Sequence, residues 1–352
     1  MIEPRPLKSG DRVAIVSLSG GTLGESFCSH SLEIGVRRIR EFGLEPVFMP
    51  NALKGVGWVK AHPEARAADL KAAFSDDSIA AVLCAIGGDD TYRTLPYLMD
   101  DAEFTAAVRE HPKLFTGFSD TTINHLMFHR LGMQSFYGPC FLCDFAELAD
   151  DMLPYTRKTI GNYFRGYREW KITPGDTWYE ERTDFSAAAV GTDRTAHREE
   201  RGYELLQGAP VFCGELLGGC LESIYDILVS DRYADEGKIC ARYGLFPEKD
   251  EWRGKLLFIE TCEEQPSPEL FRKELGALKS RGVFEAVSGI LVGKPQNERY
   301  YDEYKRILPE AVGNPDVPIL YNLNFGHAYP RTALPYGAKA RVDAVRQVID
   351  FE

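Results

Sequence analysis

The stretch LFTGFSDTTINHLMFHRL, residues 114–131, decides how the first half of this chain folds. Its opening apolar run ends at Gly117, and the apolar residues after Thr122 recur at helical spacing. The pattern predicts a strand, a tight turn and a helix, with Ser119 at the corner. A serine in such a corner holds its hydroxyl clear of the backbone, above a helix N-terminus whose N–H groups can stabilise a developing oxyanion.

The same corner has a simpler interpretation. A nucleophile elbow carries a second glycine two residues after its serine, and this chain has Thr121 there. Ser119 or Asp120 can instead act only as the cap of the following helix, a role that serine and aspartate commonly fill. Because caps are far commoner than nucleophiles, this motif alone favours the cap.

Strand and helix patterns alternate on the N-terminal side of this stretch. Apolar runs predict three strands and helical spacing predicts two helices between them, over residues 13–17, 31–42, 45–49, 63–74 and 79–86. Strands separated by helices are typical of βαβ units, so the expected fold class is α/β with a parallel sheet. The loop Gly87–Asp90 and the Ser119 turn both follow predicted strands, which places them at the carboxyl edge where such sheets bind ligands.

Beyond residue 153 the pattern weakens and then resumes. Residues 154–210 are polar, with few apolar anchors, which indicates a linker and a long loop. Such a loop can be a lid or a plain solvated insertion, and the sequence favours neither. The glycine-rich segment 214–219 is interpreted as a turn into a helix. Later strands, one helix and a closing hairpin are predicted over 255–260, 268–281, 287–292, 318–323 and 337–351.

Bulk properties narrow the range of functions. The 352 residues include 41 basic and 53 acidic side chains, and the net charge of −12 argues against a nucleic-acid surface or an anionic membrane as main partner. No apolar run approaches the roughly 20 residues that span a bilayer, and the start of the chain lacks the pattern of a signal peptide. The eight cysteines are scattered, mostly in apolar segments, which favours reduced thiols and a cytoplasmic protein.

Two more polar residues stand at predicted strand ends. Glu260 closes an apolar strand, and His327 lies in the turn that follows the strand over 318–323. With Ser119 they have the chain order serine, glutamate, histidine, in which a carboxylate can orient the imidazole that deprotonates the serine. Simpler roles remain open, because Glu260 can cap a helix and His327 can be an ordinary loop residue.

His125 and His129 lie four residues apart without a carboxylate partner and are interpreted as packing and surface residues.

Five short motifs in order carry a resemblance to a known family. They are IGGDD at 86–90, GFSD at 117–120, LLGG at 216–219, LFIE at 257–260 and FGH at 325–327. The chain resembles the LD-carboxypeptidase family of serine peptidases over nearly its whole length. That resemblance implies that Ser119 is the nucleophile, His327 the general base and acid, and Glu260 the orienting carboxylate.

The resemblance also implies an oxyanion hole and an architecture. The backbone N–H of Asp120 and one from the Gly88–Asp89 turn would form the oxyanion hole. The implied fold is a Rossmann-like parallel-sheet domain over 1–153, a linker and long loop over 154–210, and a C-terminal β/α domain over 211–352. A homodimer is expected, with no cofactor and no metal.

Within the family the chain is most similar to the branch of the microcin C immunity peptidases. Asp89 and Asp90 follow the double glycine, where the cell-wall recycling enzymes usually have an aromatic residue and a glycine. The implied reaction is cleavage of a peptidyl- or aminoacyl-nucleotide through an acyl-enzyme, with Trp178 stacking on the base. Asp90 and Gly219 are the other predicted substrate contacts, whereas Trp178 packed against the linker is the simpler interpretation.

Two alternative functions stay open, and one residue departs from the family's pattern. The chain can instead be an LD-carboxypeptidase that recycles murein tetrapeptides, or a homologue that binds a ligand without catalysis. Cys220 occupies a position that is often asparagine in the family. A substrate contact at that position is therefore expected to differ.

Overall fold

The computed structural model describes residues 1–352, which form two compact units. The first unit consists of Met1–Gly166 and Arg182–Arg194, and the second of Tyr167–Glu181 and Thr195–Glu352. None of the helices combines the length and the apolar character needed to cross a membrane.

A parallel sheet forms the centre of the first unit. Its strands are β1 (Arg12–Val16), β2 (Glu45–Phe48), β3 (Ile79–Cys84), β4 (Leu114–Gly117) and β5 (Phe136–Tyr137). They pair in parallel, in the spatial order β5-β4-β3-β1-β2. All of β3 is buried, as expected for a central strand that is covered on both faces. The α/β class predicted from the alternating pattern is confirmed.

Seven helices belong to this unit, and all but the last lie between its strands in the chain. They are α1 (Ser29–Glu41), α2 (Val56–Ala61), α3 (Pro63–Ser75), α4 (Leu95–Met99), α5 (Ala102–Glu110), α6 (Thr122–Leu131) and α7 (Pro154–Asn162). The predicted helices over 31–42 and 63–74 correspond to α1 and α3. Proline begins α3, where its fixed φ suits a first turn and its missing N–H is not needed.

The second unit contains a mixed sheet. The strands of this unit are β6 (Lys171–Ile172), β7 (Thr177–Tyr179), β8 (Ala196–Arg198), β9 (Glu204–Gln207), β10 (Val211–Cys220), β11 (Lys255–Glu260), β12 (Gly289–Gly293), β13 (Ile319–Leu323), β14 (Leu334–Pro335), β15 (Lys339–Asp343) and β16 (Val348–Phe351), of which β14 lies outside the mixed sheet. Eight of them form one sheet in the order β6-β16-β15-β10-β11-β12-β13-β9, and β7 and β8 form a separate antiparallel pair. The central strands β10 to β13 are parallel, so their carboxyl ends share one edge.

Five helices belong to this second unit. They are α8 (Leu221–Val229), α9 (Glu236–Arg242), α10 (Pro268–Ser280), α11 (Val283–Ala286) and α12 (Tyr301–Val312). Ser267 caps α10 by accepting a hydrogen bond from the N–H of Leu270, and Pro268 begins it.

The glycine-rich segment 214–219 is not the turn that the sequence suggested. It lies inside β10, which continues to Cys220 before α8 begins. A Cβ at Gly214 would lie 2.7 Å from the carbonyl oxygen of Gly254, so glycine is needed here for close approach of backbones. Glycine in a strand and glycine in a turn look alike until the neighbouring strand is known.

The segment 154–210 contains more regular structure than its polar composition indicates. It begins with α7 and includes β6, the β7–β8 pair and β9. Residues 182–194 are anchored in the first unit by Glu147, whose carboxylate accepts hydrogen bonds from Arg182 at 2.5 Å and Arg194 at 2.6 Å. The charged composition of this segment indicated a solvated loop, but two of its arginines form a buried ion-pair network with Glu147.

Candidate active site

Ser119 occupies a strained corner of the first unit. β4 ends at Gly117 and α6 begins at Thr122, as the motif predicts, and Ser119 has a φ of 67°. A left-handed conformation costs a residue with a Cβ about 1–2 kcal/mol, so the surrounding contacts must hold it. Its N–H donates to the Tyr137 hydroxyl at 3.1 Å, and its carbonyl accepts from the Thr122 hydroxyl at 2.7 Å. No side chain caps α6, so the structure does not assign the capping role to Ser119 or Asp120.

Asp120 ties together the loops at the carboxyl end of the first sheet. Its buried carboxylate accepts hydrogen bonds from the Ser19 hydroxyl at 2.7 Å and the Thr91 N–H at 2.8 Å. Burial raises the pKa of this carboxyl, although these hydrogen bonds oppose the rise. Through these hydrogen bonds the carboxylate connects the loops that follow β1, β3 and β4. The backbone of Asp120 lies next to Ser119 in the chain.

The glycine pair after β3 lies against the same corner. A Cβ at Gly87 would lie 2.7 Å from the Cβ of Ser119 and 3.5 Å from the backbone nitrogen of Asp120. Only glycine allows that approach, which carries the Gly88–Asp89 turn toward Ser119. The predicted oxyanion-hole residues Gly88, Asp89 and Asp120 therefore belong to adjoining loops of one unit.

Asp90 has a structural partner. Its side chain is 1% exposed and receives the Arg66 guanidinium, with Nη1 at 2.5 Å from Oδ1 and Nη2 at 3.3 Å from Oδ2. This buried pair fixes the loop that follows β3. A direct substrate contact by Asp90 stays a prediction, because the ion pair explains its carboxylate without a ligand.

Glu260 and His327 meet at the carboxyl edge of the second sheet. His327 Nδ1 lies 2.8 Å from Glu260 Oε2, which also accepts the backbone N–H of His327 at 3.1 Å. Both residues are buried. Because Glu260 accepts from Nδ1–H, the other imidazole nitrogen, Nε2, is the one that can exchange a proton with a substrate or nucleophile.

Gly326 makes this contact possible. Its φ is +84°, and a Cβ there would overlap the Glu260 carboxyl group. Glycine therefore satisfies two requirements at once, a left-handed backbone and a close approach. The Phe325–His327 motif is the turn that presents the imidazole to Glu260.

A second carboxylate contacts the imidazole from the other side. His327 Nε2 lies 3.0 Å from Glu263 Oε2, and the Glu263 side chain is 64% exposed. Burial lowers the pKa of His327, but the charges and hydrogen bonds of Glu260 and Glu263 outweigh it and raise the pKa to about 10. The Glu263 pKa is lowered, first by its hydrogen bond to His327. Sequence reasoning missed this contact, whose only signal was a glutamate shortly after a strand end.

Cys220 adds a thiol beside these groups. It ends β10 directly opposite Glu260 of β11, and its Sγ lies 3.2 Å from Glu222 Oε2. Cys220, Glu260 and His327 form a group that could hold a metal ion, since one donor atom of each lies within 4.8 Å of the others. Gly219, a predicted substrate contact, precedes the thiol in β10 and pairs with Ile259.

Trp178 lies on β7, within the second unit, and is half-buried. Its ring stacks on His197, with centroids 4.1 Å apart and planes 15° apart. The Nζ of Lys294 lies 5.1 Å from the tryptophan ring and 3.0 Å from the Glu199 carboxylate. The aromatic ring is therefore positioned by side chains of its own unit, and whether it stacks on a base stays a prediction.

Comparisons with known proteins agree with one another. Residues 13–138 match the model of the LD-carboxypeptidase N-terminal domain, and residues 213–342 match that of the LD-carboxypeptidase C-terminal domain. A probable murein peptide carboxypeptidase of Bacillus subtilis is 28% identical over 99% of this chain and 94% of its own length. The microcin C7 self-immunity protein MccF of Escherichia coli is 25% identical, over 79% of this chain and 76% of its own.

A solved structure is more similar still. It is an MccF-like protein from Streptococcus pneumoniae in complex with AMP, which is 50% identical to this chain. The match has a TM-score of 0.94 and covers 97% of this chain and 99% of the solved chain.

Proposed function

The chain belongs to the LD-carboxypeptidase family of serine peptidases, and from that premise we propose that it cleaves a peptidyl- or aminoacyl-nucleotide through an acyl-enzyme. In this proposal Ser119 is the nucleophile, His327 the general base and acid, and Glu260 the carboxylate that orients the imidazole. The observation that carries it is the buried contact of 2.8 Å between His327 Nδ1 and Glu260 Oε2.

The proposed steps follow from these groups. His327 Nε2 takes the hydroxyl proton of Ser119 while Oγ attacks the scissile carbonyl carbon. His327 then gives that proton to the leaving nitrogen, the bond from carbon to nitrogen breaks, and the acyl group stays on Ser119. Water attacks this ester with His327 again as base, which releases the acid and the free serine. The N–H groups of Asp120 and the Gly88–Asp89 turn would stabilise the oxyanion in both halves.

Labelling of the nucleophile tests the enzyme class. A fluorophosphonate should modify the wild-type protein, and Ser119→Ala should abolish both the modification and most of the turnover, on the order of 10⁴-fold. The exposed serine variant Ser280→Ala is the control and should be labelled normally. Combining Ser119→Ala with His327→Ala should cost little more than either alone, because the two residues act as a unit. Stoichiometric binding without turnover or labelling would instead identify a non-catalytic binder.

The substrate class rests on a different observation. The Streptococcus pneumoniae relative was solved with AMP, which favours a nucleotide-bearing substrate over a murein tetrapeptide. The half-buried Trp178 supports this proposal, since aromatic rings stack on nucleobases of any kind.

Competition between two substrates decides this point. The kcat/KM for aspartyl sulfamoyl adenosine should exceed that for a murein tetrapeptide. Trp178→Ala should lower the adenosine value by about 1–3 kcal/mol in free-energy terms and leave the tetrapeptide value unchanged. Rapid release of D-alanine with no cleavage of the adenosine compound would establish the murein alternative, which the Bacillus subtilis relative's name represents.

We also propose that the enzyme works in the cytoplasm as a homodimer and needs no cofactor. Sedimentation equilibrium of the full chain would measure the oligomeric state. Cell fractionation with an antibody would measure the location.

A further inference from the structure

Three side chains of types that bind metal ions converge in the second unit. Cys220 ends β10, Glu260 ends the neighbouring β11, and His327 follows β13. Their donor atoms, a thiol sulfur, a carboxylate oxygen and an imidazole nitrogen, all lie within 4.8 Å of one another. The three residues are 2%, 1% and 7% exposed, so the cluster is built into the unit and is not a chance meeting of surface side chains.

This donor set suits Zn²⁺. Zinc takes cysteine sulfur, histidine nitrogen and carboxylate oxygen at roughly 2.0–2.3 Å, in tetrahedral geometry. Donors around one such ion lie about 3.3–3.8 Å apart, as those bond lengths require. The 2.8 Å contact between His327 and Glu260 must open by about 0.5 Å to satisfy that geometry, and any pair of donors near the 4.8 Å limit must close by about 1 Å.

We propose that Cys220, Glu260 and His327 form an inhibitory Zn²⁺ site. Glu222, with Oε2 at 3.2 Å from the Cys220 sulfur, is placed to accept the thiol proton. On binding, the sulfur–hydrogen bond gives way to a sulfur–zinc bond, and the imidazole nitrogen that takes zinc gives up the proton it shares with Glu260; both protons leave to Glu222 or to solvent. Zinc held between Glu260 and His327 removes the hydrogen bond that orients the imidazole, so the proposed base can no longer serve Ser119.

The Cys220 thiol is the ligand on which zinc affinity at this site depends most. Without Cys220, the cluster keeps one imidazole and carboxylates, which bind zinc far less strongly than a set that includes thiolate. The glutamates nearby do not by themselves select zinc. The proposal therefore predicts that one atom, the sulfur of Cys220, controls zinc affinity.

Cobalt spectroscopy tests the site directly. Co²⁺ added to the reduced full chain should bind at one equivalent and produce the near-ultraviolet charge-transfer absorption of a thiolate–cobalt bond, and Zn²⁺ should remove that absorption. Cys220→Ser should abolish the absorption and weaken Zn²⁺ binding, measured by calorimetry, by at least about 100-fold, the upper end of what changes outside the ligand shell cost. Cys220→Ala repeats the test should the serine variant fold poorly.

Two matched variants separate this inference from the proposed function. Cys213→Ser alters an exposed thiol of the same strand, and it should bind both metals like the wild type. Ser119→Ala should also keep metal binding while losing turnover. Hydrolysis by the wild type should fall on addition of one equivalent of Zn²⁺ and return with a chelator, and this arm alone depends on the proposed function.

The outcomes are distinct. An absence of cobalt absorption in the wild type, or an absorption that survives Cys220→Ser, overturns the zinc site whatever the enzyme hydrolyses. Metal binding that depends on Cys220 in a protein without peptidase activity would support the site and reject the proposed function.

Discussion

At the scale of single residues, the two carboxylates that contact His327 determine its protonation state. A general base must be neutral when it accepts a proton, yet two carboxylates hold the His327 pKa near 10. Glu260 is buried and fixes Nδ1, whereas the exposed Glu263 occupies Nε2, the nitrogen that the proposed mechanism uses. In the proposed mechanism, Glu263 must therefore leave Nε2 before His327 can act on Ser119.

Glu263→Gln should make His327 a better base at lower pH. Removing this carboxylate removes an interaction that favours the imidazolium, so the His327 pKa falls and the neutral form appears at lower pH. The acidic limb of the profile of kcat/KM against pH should therefore move to lower pH. Glu264→Gln, at the exposed neighbouring position, should leave the limb in place. An unshifted limb in both variants would show that Glu263 does not contact Nε2 in solution.

The strain at Ser119 is measurable separately from catalysis. Ser119→Gly and Ser119→Ala both remove the hydroxyl, but only glycine adopts a φ of 67° without strain. The glycine variant should therefore be about 1 kcal/mol more stable than the alanine variant in urea unfolding. Equal stabilities would mean that the corner relaxes in solution.

At the scale of elements, strand ends and the turns after them carry the candidate site. β10 and β11 bring Cys220 and Glu260 side by side, and the turn after β13 places His327 over the carboxylate. None of these residues is near another in sequence, but parallel strands bring their carboxyl ends to one edge.

Gly326→Ala should disrupt the Glu260–His327 pair. The new methyl group overlaps the Glu260 carboxyl, so the pair must separate, and a misplacement of about 1 Å costs roughly 10²-fold in kcat/KM. Gly313→Ala is the matched control, because Gly313 also has a positive φ of +70° but its nearest neighbours are Lys279 and Glu310. Both variants should lose stability, and only Gly326→Ala should lose activity. Full activity in Gly326→Ala would argue against a catalytic role for the pair.

At the scale of the whole molecule, buried carboxyl groups limit stability at neutral pH. Glu274 of α10 is 2% exposed, and its Oε2 has no hydrogen-bond partner in the protein. Burial and the charges of Glu222 and Asp226 raise its pKa to about 9. Between the pKa of the unfolded chain, 4.5, and about 9, folding must bind a proton, so this group makes the protein less stable as pH rises.

Glu274→Gln should stabilise the protein, and more so at pH 8 than at pH 5. Glutamine has a similar shape and needs no proton, so the gain at pH 8 should be about 1–3 kcal/mol. Thermal unfolding at the two pH values measures it. Glu269→Gln, at an exposed position on the same helix, should give no such gain. A destabilised Glu274→Gln at pH 8 would show that the carboxylate is ionised and paired in the folded state.

Much of the fold could be predicted because it depends on local patterns. The apolar runs and helical spacing that indicate β3, β4 and α6 arise from residues adjacent in the chain, and the parallel α/β class follows from their alternation. The strand assignment of residues 214–219 and the anchoring of residues 182–194 could not be predicted in this way. Both depend on partners distant in sequence, Gly254 in one case and Glu147 in the other.

The sequence by itself determined the fold class, the corner at Ser119 and the family, because short motifs in a fixed order along the chain are enough to recognise each of them. Only the tertiary structure decided which atoms meet: Glu260 with Nδ1 of His327, Glu263 with Nε2, and the Cys220 thiol beside them. A motif gives residue types and order, whereas hydrogen bonds, pKa values and metal affinity depend on distances of a few ångströms between separate strands. Those distances are set by sheet register and by turns such as Gly326, which no local pattern in the sequence specifies.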